Sequence, residues 1–190
     1  MTDQTHYEVI VVGGGLTGLM MALALSYGGY GSAAAPAIAL VDRTPAQPHS
    51  VNTKTAHTES PDSTSSTRKT ASGDHRTTTI HAAGKTMLET LGVWPLIDDM
   101  ATPITRIKIA NGAPRQGRLA QRQRPEFNLD WHDAHQPMAY VVANNRLLDA
   151  LYTVMATRPV AHITDAEVKS FDGAGDLARL EFANRPDLTC

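Results

Sequence analysis

The residues best suited to chemistry are three glycines near the start of the chain, Gly13, Gly15 and Gly18, which fit the pattern G-x-G-x-x-G. In such a turn the first glycine allows a sharp bend, the second lets the backbone approach a diphosphate, and the third lets the next helix pack close to the preceding strand. The amino end of that helix, here Leu16 and Thr17, offers unpaired N–H groups and the positive end of the helix dipole to the anion. The pattern therefore predicts a dinucleotide site.

A second candidate group is the carboxylate of Asp42, which is followed by Arg43 and comes directly after the apolar run of residues 38–41. An acid at the end of the second strand accepts hydrogen bonds from the ribose hydroxyls of adenosine and favours an unphosphorylated ribose, as in NAD or FAD. Asp42 and Arg43 are therefore predicted to contact the dinucleotide. Asp42 lies several residues further from the glycines than is usual, and residues 28–36 are the expected insertion. The alternative is a glycine-rich turn that binds no ligand.

One βαβ unit is needed to position these groups. Residues 7–12 are a β-branched run typical of a buried strand, residues 16–27 carry leucines among good helix formers, and residues 38–42 are a second short strand that ends on an acid. Because the glycines lie between the first strand and the helix, this order is the context in which the motif binds a dinucleotide. It predicts two parallel strands joined by a right-handed crossover.

Composition divides the chain into four parts. Residues 1–43 hold the βαβ unit, and residues 44–73, rich in Ser and Thr and poor in large aliphatic side chains, are predicted to be a disordered insertion. Residues 74–158 are predicted to contain further helices and strands. Residues 159–190 are predicted to form a β-meander. Its three short strands are expected at residues 160–163, 167–171 and 177–182.

Within the third part, the spacing of apolar residues predicts a helix that includes Ile80 in its apolar stripe and is closed by Gly92. Two strands are predicted, at residues 104–110 and 138–142. A second helix with a leucine stripe is predicted to end before Pro159.

Composition also excludes several classes of protein. The 190 residues carry a net charge of -2 and a pI of about 6.4, which argues against a nucleic-acid binder. The single cysteine, Cys190, permits neither an internal disulfide nor a cysteine zinc cluster. No apolar run is long enough for a membrane span, and the first residues lack the basic region of a secretory signal. We therefore expect a cytoplasmic protein, with peripheral contact to the inner membrane left open.

The sequence resembles the FAD-dependent aromatic hydroxylases of ubiquinone biosynthesis, which are relatives of para-hydroxybenzoate hydroxylase. Besides the glycine turn and Asp42, where the family more often has Glu, the resemblance rests on two longer stretches. Residues 74–80, D-H-R-T-T-T-I, are similar to the family's D-x-R-T-x-x-I, and residues 87–94, M-L-E-T-L-G-V-W, are similar to its M-L-x-x-L-G-x-W. Residues 103–104 and 138–144 extend the similarity, although the family usually has Glu before the final Asn of the latter.

The resemblance implies a Rossmann-like α/β FAD-binding domain of the glutathione-reductase type, with a doubly wound parallel sheet and a β-meander. It also implies that residues 74–158 contact the flavin and the substrate region. It implies that Arg76 reaches the FAD near its ribose and diphosphate, which suits a guanidinium that forks onto phosphate oxygens. The alternative is a solvated residue at a helix start capped by Asp74. Asn144 is expected on the flavin side of the site, with Asn145 and Arg146 as register alternatives.

The resemblance further implies a monooxygenase that takes electrons from NADPH or NADH and uses O2 to hydroxylate the ring of a polyprenylated phenol. Contact with the membrane or with an assembly of ubiquinone-biosynthesis enzymes is expected, and no nucleic acid. No catalytic side chain is assigned, and the histidines and aspartate of residues 131–135 are interpreted as a solvated loop without a metal. The arginines within residues 115–124 are interpreted as a solvated loop too, with binding of anionic lipid, of a nicotinamide phosphate or of a partner protein as alternatives.

Members of that family continue into a second half that contains another FAD-binding segment, and this sequence matches the amino-terminal half only. We therefore expect an incomplete chain with weak FAD affinity and no turnover by itself. Two other functions stay open: a non-catalytic dinucleotide-binding module, and an NAD-dependent dehydrogenase.

Overall fold

The computed structural model describes residues 5–29, 36–44, 76–110, 128–132 and 136–190. Several predictions concern residues outside these ranges, and the structure does not address them. They are the disordered insertion from residue 45 onward, most of the insertion between the helix and the second strand, Asp74, and the arginines of residues 115–124.

The described strands are short and are numbered in chain order. They are β1 (Val9–Val12), β2 (Ile38–Val41), β3 (Thr77–His81), β4 (Thr102–Ile104), β5 (Arg106–Ala110), β6 (Asn128–His132), β7 (Ala139–Ala143), β8 (Val160–Ile163), β9 (Val168–Asp172), β10 (Arg179–Phe182) and β11 (Leu188–Thr189).

Three α-helices lie between these strands in the described part of the chain. They are α1 (Leu16–Tyr27), α2 (Ala82–Leu91) and α3 (Asn144–Met155), with two short 3-10 turns at Trp94–Leu96 and Asp98–Met100. The first and third match the predicted helices closely. Among the described residues, no helix combines the length and the apolar character needed to cross a membrane.

The strand β2 is the centre of the fold. It pairs in parallel with β1 on one side and with β8 on the other, so Ile38 lies opposite both Val9 and Val160. All four residues of β2 are buried. A continuous run of apolar residues is typical of a parallel strand that is covered on both faces. The predicted parallel pairing of the first two strands is confirmed.

Alternate residues of β2 face two different layers. Leu40 packs in one apolar cluster with α1, α2 and α3, including Leu19 and Leu151. Ala39 and Val41 pack in a second cluster with the antiparallel sheet β9–β10–β11. The parallel sheet therefore lies between a layer of helices and a layer of antiparallel strands.

A doubly wound sheet, which carries helices on both faces, is not confirmed by this arrangement. In the described ranges the helices contribute to one of the two clusters, and strands cover the opposite face of β2. What the structure shows is a mixed α/β fold built from several small sheets.

The strand β8 lies in a different sheet from the one predicted. Its residues were expected to open the β-meander, but Val160–Ile163 bond in parallel to β2 instead. The antiparallel sheet begins with β9 and gains its third strand from Leu188–Thr189, which the sequence did not reveal. A four-residue apolar run fits either sheet, because its pattern does not encode its partner.

The prediction of a helix that includes Ile80 was also wrong. Residues 77–81 form β3, which pairs antiparallel with β7 and places Thr77 opposite Ala143. Three threonines followed by isoleucine favour an extended backbone. The helix α2 starts only at Ala82, and Gly92 ends it with φ of 81°.

Two smaller differences concern β4, β5 and β6. The single strand predicted over residues 104–110 is divided between β4, which pairs with β7, and β5, which pairs with β6. Trp131 and His132, which were interpreted as loop residues, lie on β6 opposite Ile107 and Arg106. Asp133 and His135 are outside the described ranges.

Replacing Leu151 by Ala tests the packing between the helices and β2. Leu151 is fully buried in the helical cluster, so we expect Leu151→Ala to lower the free energy of unfolding by about 2–5 kcal/mol. Leu177 is more than half exposed, and Leu177→Ala is the matched control with an expected change below about 0.5 kcal/mol. Urea denaturation followed by circular dichroism measures both, and equal losses would contradict the assigned packing.

Candidate dinucleotide-binding site

The glycine turn joins β1 to α1 and is fixed to the end of β2 by its backbone. The N–H of Gly13 donates a hydrogen bond to the carbonyl oxygen of Val41, with 2.7 Å between nitrogen and oxygen. Gly13 has a φ of 110°, in a region that side chains other than that of glycine rarely adopt. The turn therefore begins with a bend that requires glycine.

The first turn of α1 lies directly against this bend. A Cβ atom placed on Gly18 would overlap the carbonyl oxygen of Gly13 and would also contact Leu40. The clash involves backbone and cannot be relieved by rotating a side chain. The close approach of helix and turn therefore depends on Gly18.

Gly15 has the opposite surroundings. A Cβ atom placed on it would meet no heavy atom of the described residues within 4 Å. Gly15 is also the N-cap of α1. Within the described ranges no side chain caps the first N–H groups there, and the first helical turn contains no acid. An open approach to uncapped N–H groups at a helix amino end fits the diphosphate of a dinucleotide.

Asp42 lies against the turn and is held by its own backbone. Its N–H donates to the carbonyl oxygen of Ile163 (2.8 Å), and its carbonyl oxygen accepts from the N–H of Ala166 (3.0 Å). One carboxylate oxygen accepts a hydrogen bond from the N–H of Thr44 at 3.1 Å. The other lies so close to Gly14 that a Cβ atom there would overlap it. The glycine between the two motif glycines is therefore what lets the acid approach the turn.

Tyr152 of α3 also reaches the turn, although the sequence did not single it out. Its hydroxyl donates to the carbonyl oxygen of Gly14 at 2.9 Å, and its ring packs beside that of His162, with 5.6 Å between centroids. Burial, and then the charge of Asp42, raise the pKa of Tyr152 above that of a free phenol. The hydroxyl therefore stays protonated, and able to donate, at neutral pH.

A cavity of about 330 Å³ opens beside the amino end of α1. Its wall is formed by α1, β3, α2 and α3, and is mostly apolar with a few hydroxyl groups and one imidazole. The lining residues are Leu16, Thr17, Met20, Thr78, Thr79, Ile80, His81, Gly84, Leu88 and Leu147. The size and the mostly apolar lining are those of a small-molecule site.

Arg76 and Asn144 are joined to each other and to this cavity. The N–H of Asn144 donates to the carbonyl oxygen of Arg76 at 2.9 Å, where β3 and β7 run side by side. The side-chain oxygen of Asn144 accepts a hydrogen bond of 2.6 Å from the hydroxyl of Thr78, which lines the cavity. Asn145, in contrast, accepts a hydrogen bond from the N–H of Arg146 in an exposed position.

The predicted site residues thus fall into two groups. Gly13, Gly15, Gly18 and Asp42 meet at the end of the parallel sheet, with Leu16 and Thr17 lining the adjacent cavity and the exposed Arg43 following the acid. Arg76 and Asn144 lie at the ends of β3 and β7 and connect to the same cavity through Thr78. Their roles toward a ligand stay predictions.

Comparison with known proteins adds information at the level of the fold. No protein-family model matches this sequence, and no curated protein sequence matches it. The flavin-dependent monooxygenase PieE, solved with FAD and substrate, matches with a TM-score of 0.58 at 17% identity, over 100% of this chain and 29% of that chain. The p-nitrophenol 4-monooxygenase PnpA from Pseudomonas putida DLL-E4 matches with a TM-score of 0.56 at 17% identity. The match covers 98% of this chain and 39% of PnpA.

A third structure shows how far this likeness extends. PyrE3, described as a Diels-Alderase of pyrroindomycin biosynthesis, matches with a TM-score of 0.56 at 15% identity, over 98% of this chain and 31% of that chain. The chain therefore has the fold found in flavin-dependent monooxygenases and spans about a third of the length of these structures. At this level of identity the fold does not determine the reaction.

Two alanine substitutions distinguish the glycine that the fold needs from the one that faces open space. Gly18→Ala should lower the free energy of unfolding by about 1–3 kcal/mol, because the new methyl group overlaps the Gly13 carbonyl. Gly15→Ala meets no heavy atom of the described ranges within 4 Å and loses only the preference of an N-cap for glycine over alanine, so it should lower the free energy of unfolding by less than about 1 kcal/mol. Chemical denaturation of both variants measures the difference, and a greater loss for Gly15→Ala would refute the described turn.

Proposed function

We propose that this chain is the FAD-binding part of a flavin-dependent monooxygenase. The observation that carries the proposal is the glycine turn, where the open approach at Gly15 adjoins the carboxylate of Asp42. The matching monooxygenase folds, and a cavity of suitable size next to the turn, support it.

The residues present fit FAD in chemical type. The N–H groups at the amino end of α1 would hold its diphosphate, and the carboxylate of Asp42 would accept hydrogen bonds from its ribose. Arg76 would add a positive charge for the phosphates. When bound, FAD supplies the redox and oxygen chemistry, with NADPH or NADH as the electron donor. The protein would supply placement and a mostly apolar wall.

Within this class, we propose the aromatic ring of a polyprenylated phenol as the site of hydroxylation, in ubiquinone biosynthesis. Support comes from the sequence resemblance around Arg76 and in residues 87–94. Trp94 of that stretch is buried and packs edge-on against Tyr140, with 5.0 Å between centroids, so it serves the fold and not the substrate. Because a polyprenyl tail is strongly apolar, a substrate that carries one favours an enzyme that acts at a membrane surface or within a multi-enzyme assembly.

Titration of the purified 190-residue chain with FAD tests the class of cofactor. We expect quenching of flavin fluorescence, and a rise in melting temperature with FAD that exceeds the rise with NAD. A larger effect of NAD would instead favour an NAD-dependent dehydrogenase. Oxygen uptake with NADPH and a prenylated phenol would show that the chain is an enzyme by itself and not only the FAD-binding part of one.

The charge of Asp42 provides a sharper test. Asp42→Asn keeps an oxygen for the hydrogen bond from Thr44 but removes the charge that would face the ribose, so FAD should bind about tenfold more weakly. Asp172→Asn is a matched control, because Asp172 likewise accepts the N–H of the residue two positions later, Ala174 (3.0 Å). Equal FAD affinities for the two variants would contradict the role of Asp42.

A further inference from the structure

Tyr152 lies outside the glycine motif and plays no part in the proposal above, yet it contacts the backbone of the turn. Its hydroxyl donates to the carbonyl oxygen of Gly14, a residue 138 positions earlier in the chain. The packing of α3 in the same apolar cluster as α1 creates this contact. The phenol is partly buried, its hydroxyl is bonded to the turn and its ring packs beside that of His162, so its position is well defined.

The turn has a particular need for such a contact. Gly13, Gly14 and Gly15 follow one another, and glycine restricts the backbone less than any other residue. A turn made of three glycines therefore loses much conformational entropy when it adopts a single form. A hydrogen bond from a helix that is already packed offsets part of this loss before any ligand arrives.

The contact also determines how one peptide group is oriented. The carbonyl of Gly14 and the N–H of Gly15 belong to the same peptide unit, and in a trans peptide they point in opposite directions. Holding the carbonyl toward Tyr152 therefore holds the N–H of Gly15 away from it. As far as the described residues go, Gly15 is the residue of this turn whose surroundings are open to a ligand and lie at the amino end of α1.

We propose that Tyr152 is a positioning residue of the dinucleotide site, which fixes the Gly14–Gly15 peptide so that the turn is ready to receive a diphosphate. This inference rests on the proposed function, since it assumes a ligand with a diphosphate. It predicts a specific pattern: loss of the hydroxyl weakens ligands that carry a diphosphate and spares those that lack one.

The test compares Tyr152→Phe with the unmodified 190-residue chain for FAD, ADP and adenosine, by isothermal titration calorimetry. Phe keeps the ring beside His162 and removes only the donor. We expect dissociation constants for FAD and ADP to rise together by about 3- to 10-fold, and that for adenosine to stay unchanged. Tyr140→Phe, which removes a hydroxyl from a ring packed on Trp94, should leave all three constants unchanged.

The possible outcomes separate the two proposals. If the unmodified chain binds neither FAD nor ADP, the proposed function and this inference both fail. If it binds both and Tyr152→Phe binds them equally well, the inference alone fails. An equal loss for adenosine, or a Tyr152→Phe chain that does not fold, would show a structural role and would also overturn it.

Amide hydrogen exchange gives a second readout without any ligand. Exchange at Gly13, whose N–H is bonded to the carbonyl oxygen of Val41 and is therefore protected, should be faster in Tyr152→Phe than in Tyr140→Phe when the two are compared at equal global stability. Unchanged exchange at Gly13 would contradict the idea that the hydroxyl orders the turn.

Discussion

The structure depends on one steric constraint: the turn after β1 has no room for side chains where helix and acid approach it. A Cβ on Gly18 would overlap the Gly13 carbonyl, and a Cβ on Gly14 would overlap the carboxylate of Asp42. Only glycine therefore lets α1, β1 and the end of β2 meet at one point. Gly15 differs from these two because no heavy atom of the part of the chain that the structure describes would lie within 4 Å of a Cβ placed on it. The same short stretch therefore contains glycines that packing requires and a glycine that a ligand can approach.

Elements remote in sequence complete what the motif begins. The peptide groups on both sides of Asp42 are bonded to Ile163 and Ala166, and the turn itself accepts a hydrogen bond from Tyr152. None of these three residues belongs to the amino-terminal βαβ unit, although each forms a hydrogen bond with it. The motif supplies the small residues and the acid, and the tertiary fold supplies their orientation. A match to G-x-G-x-x-G is thus weaker evidence of a binding site than the surrounding contacts are.

The sequence predicted those parts of the fold that depend on neighbouring residues. Strand, turn, helix and acid in the first 42 residues follow from local patterns, as does α3 with its leucine stripe. The partner of β8 could not be predicted, because a short apolar run pairs equally well in a parallel or an antiparallel sheet. Ile80 was wrongly assigned to a helix, because its spacing from the apolar residues of α2 fits a helical period, whereas it lies in β3. The contact of Tyr152 with the glycine turn could not be predicted, because a tyrosine within an amphipathic helix is usually a packing residue.

The pairing of β8 with β2 also affects how the protein is made. Translation delivers the glycine turn and Asp42 first, while the strand that covers the free edge of β2 leaves the ribosome much later. Until then the nascent chain exposes an apolar edge strand with unpaired peptide groups, a state prone to aggregation. A prematurely terminated translation product that ends within α3 would therefore contain the whole nucleotide motif but could not anchor its acid.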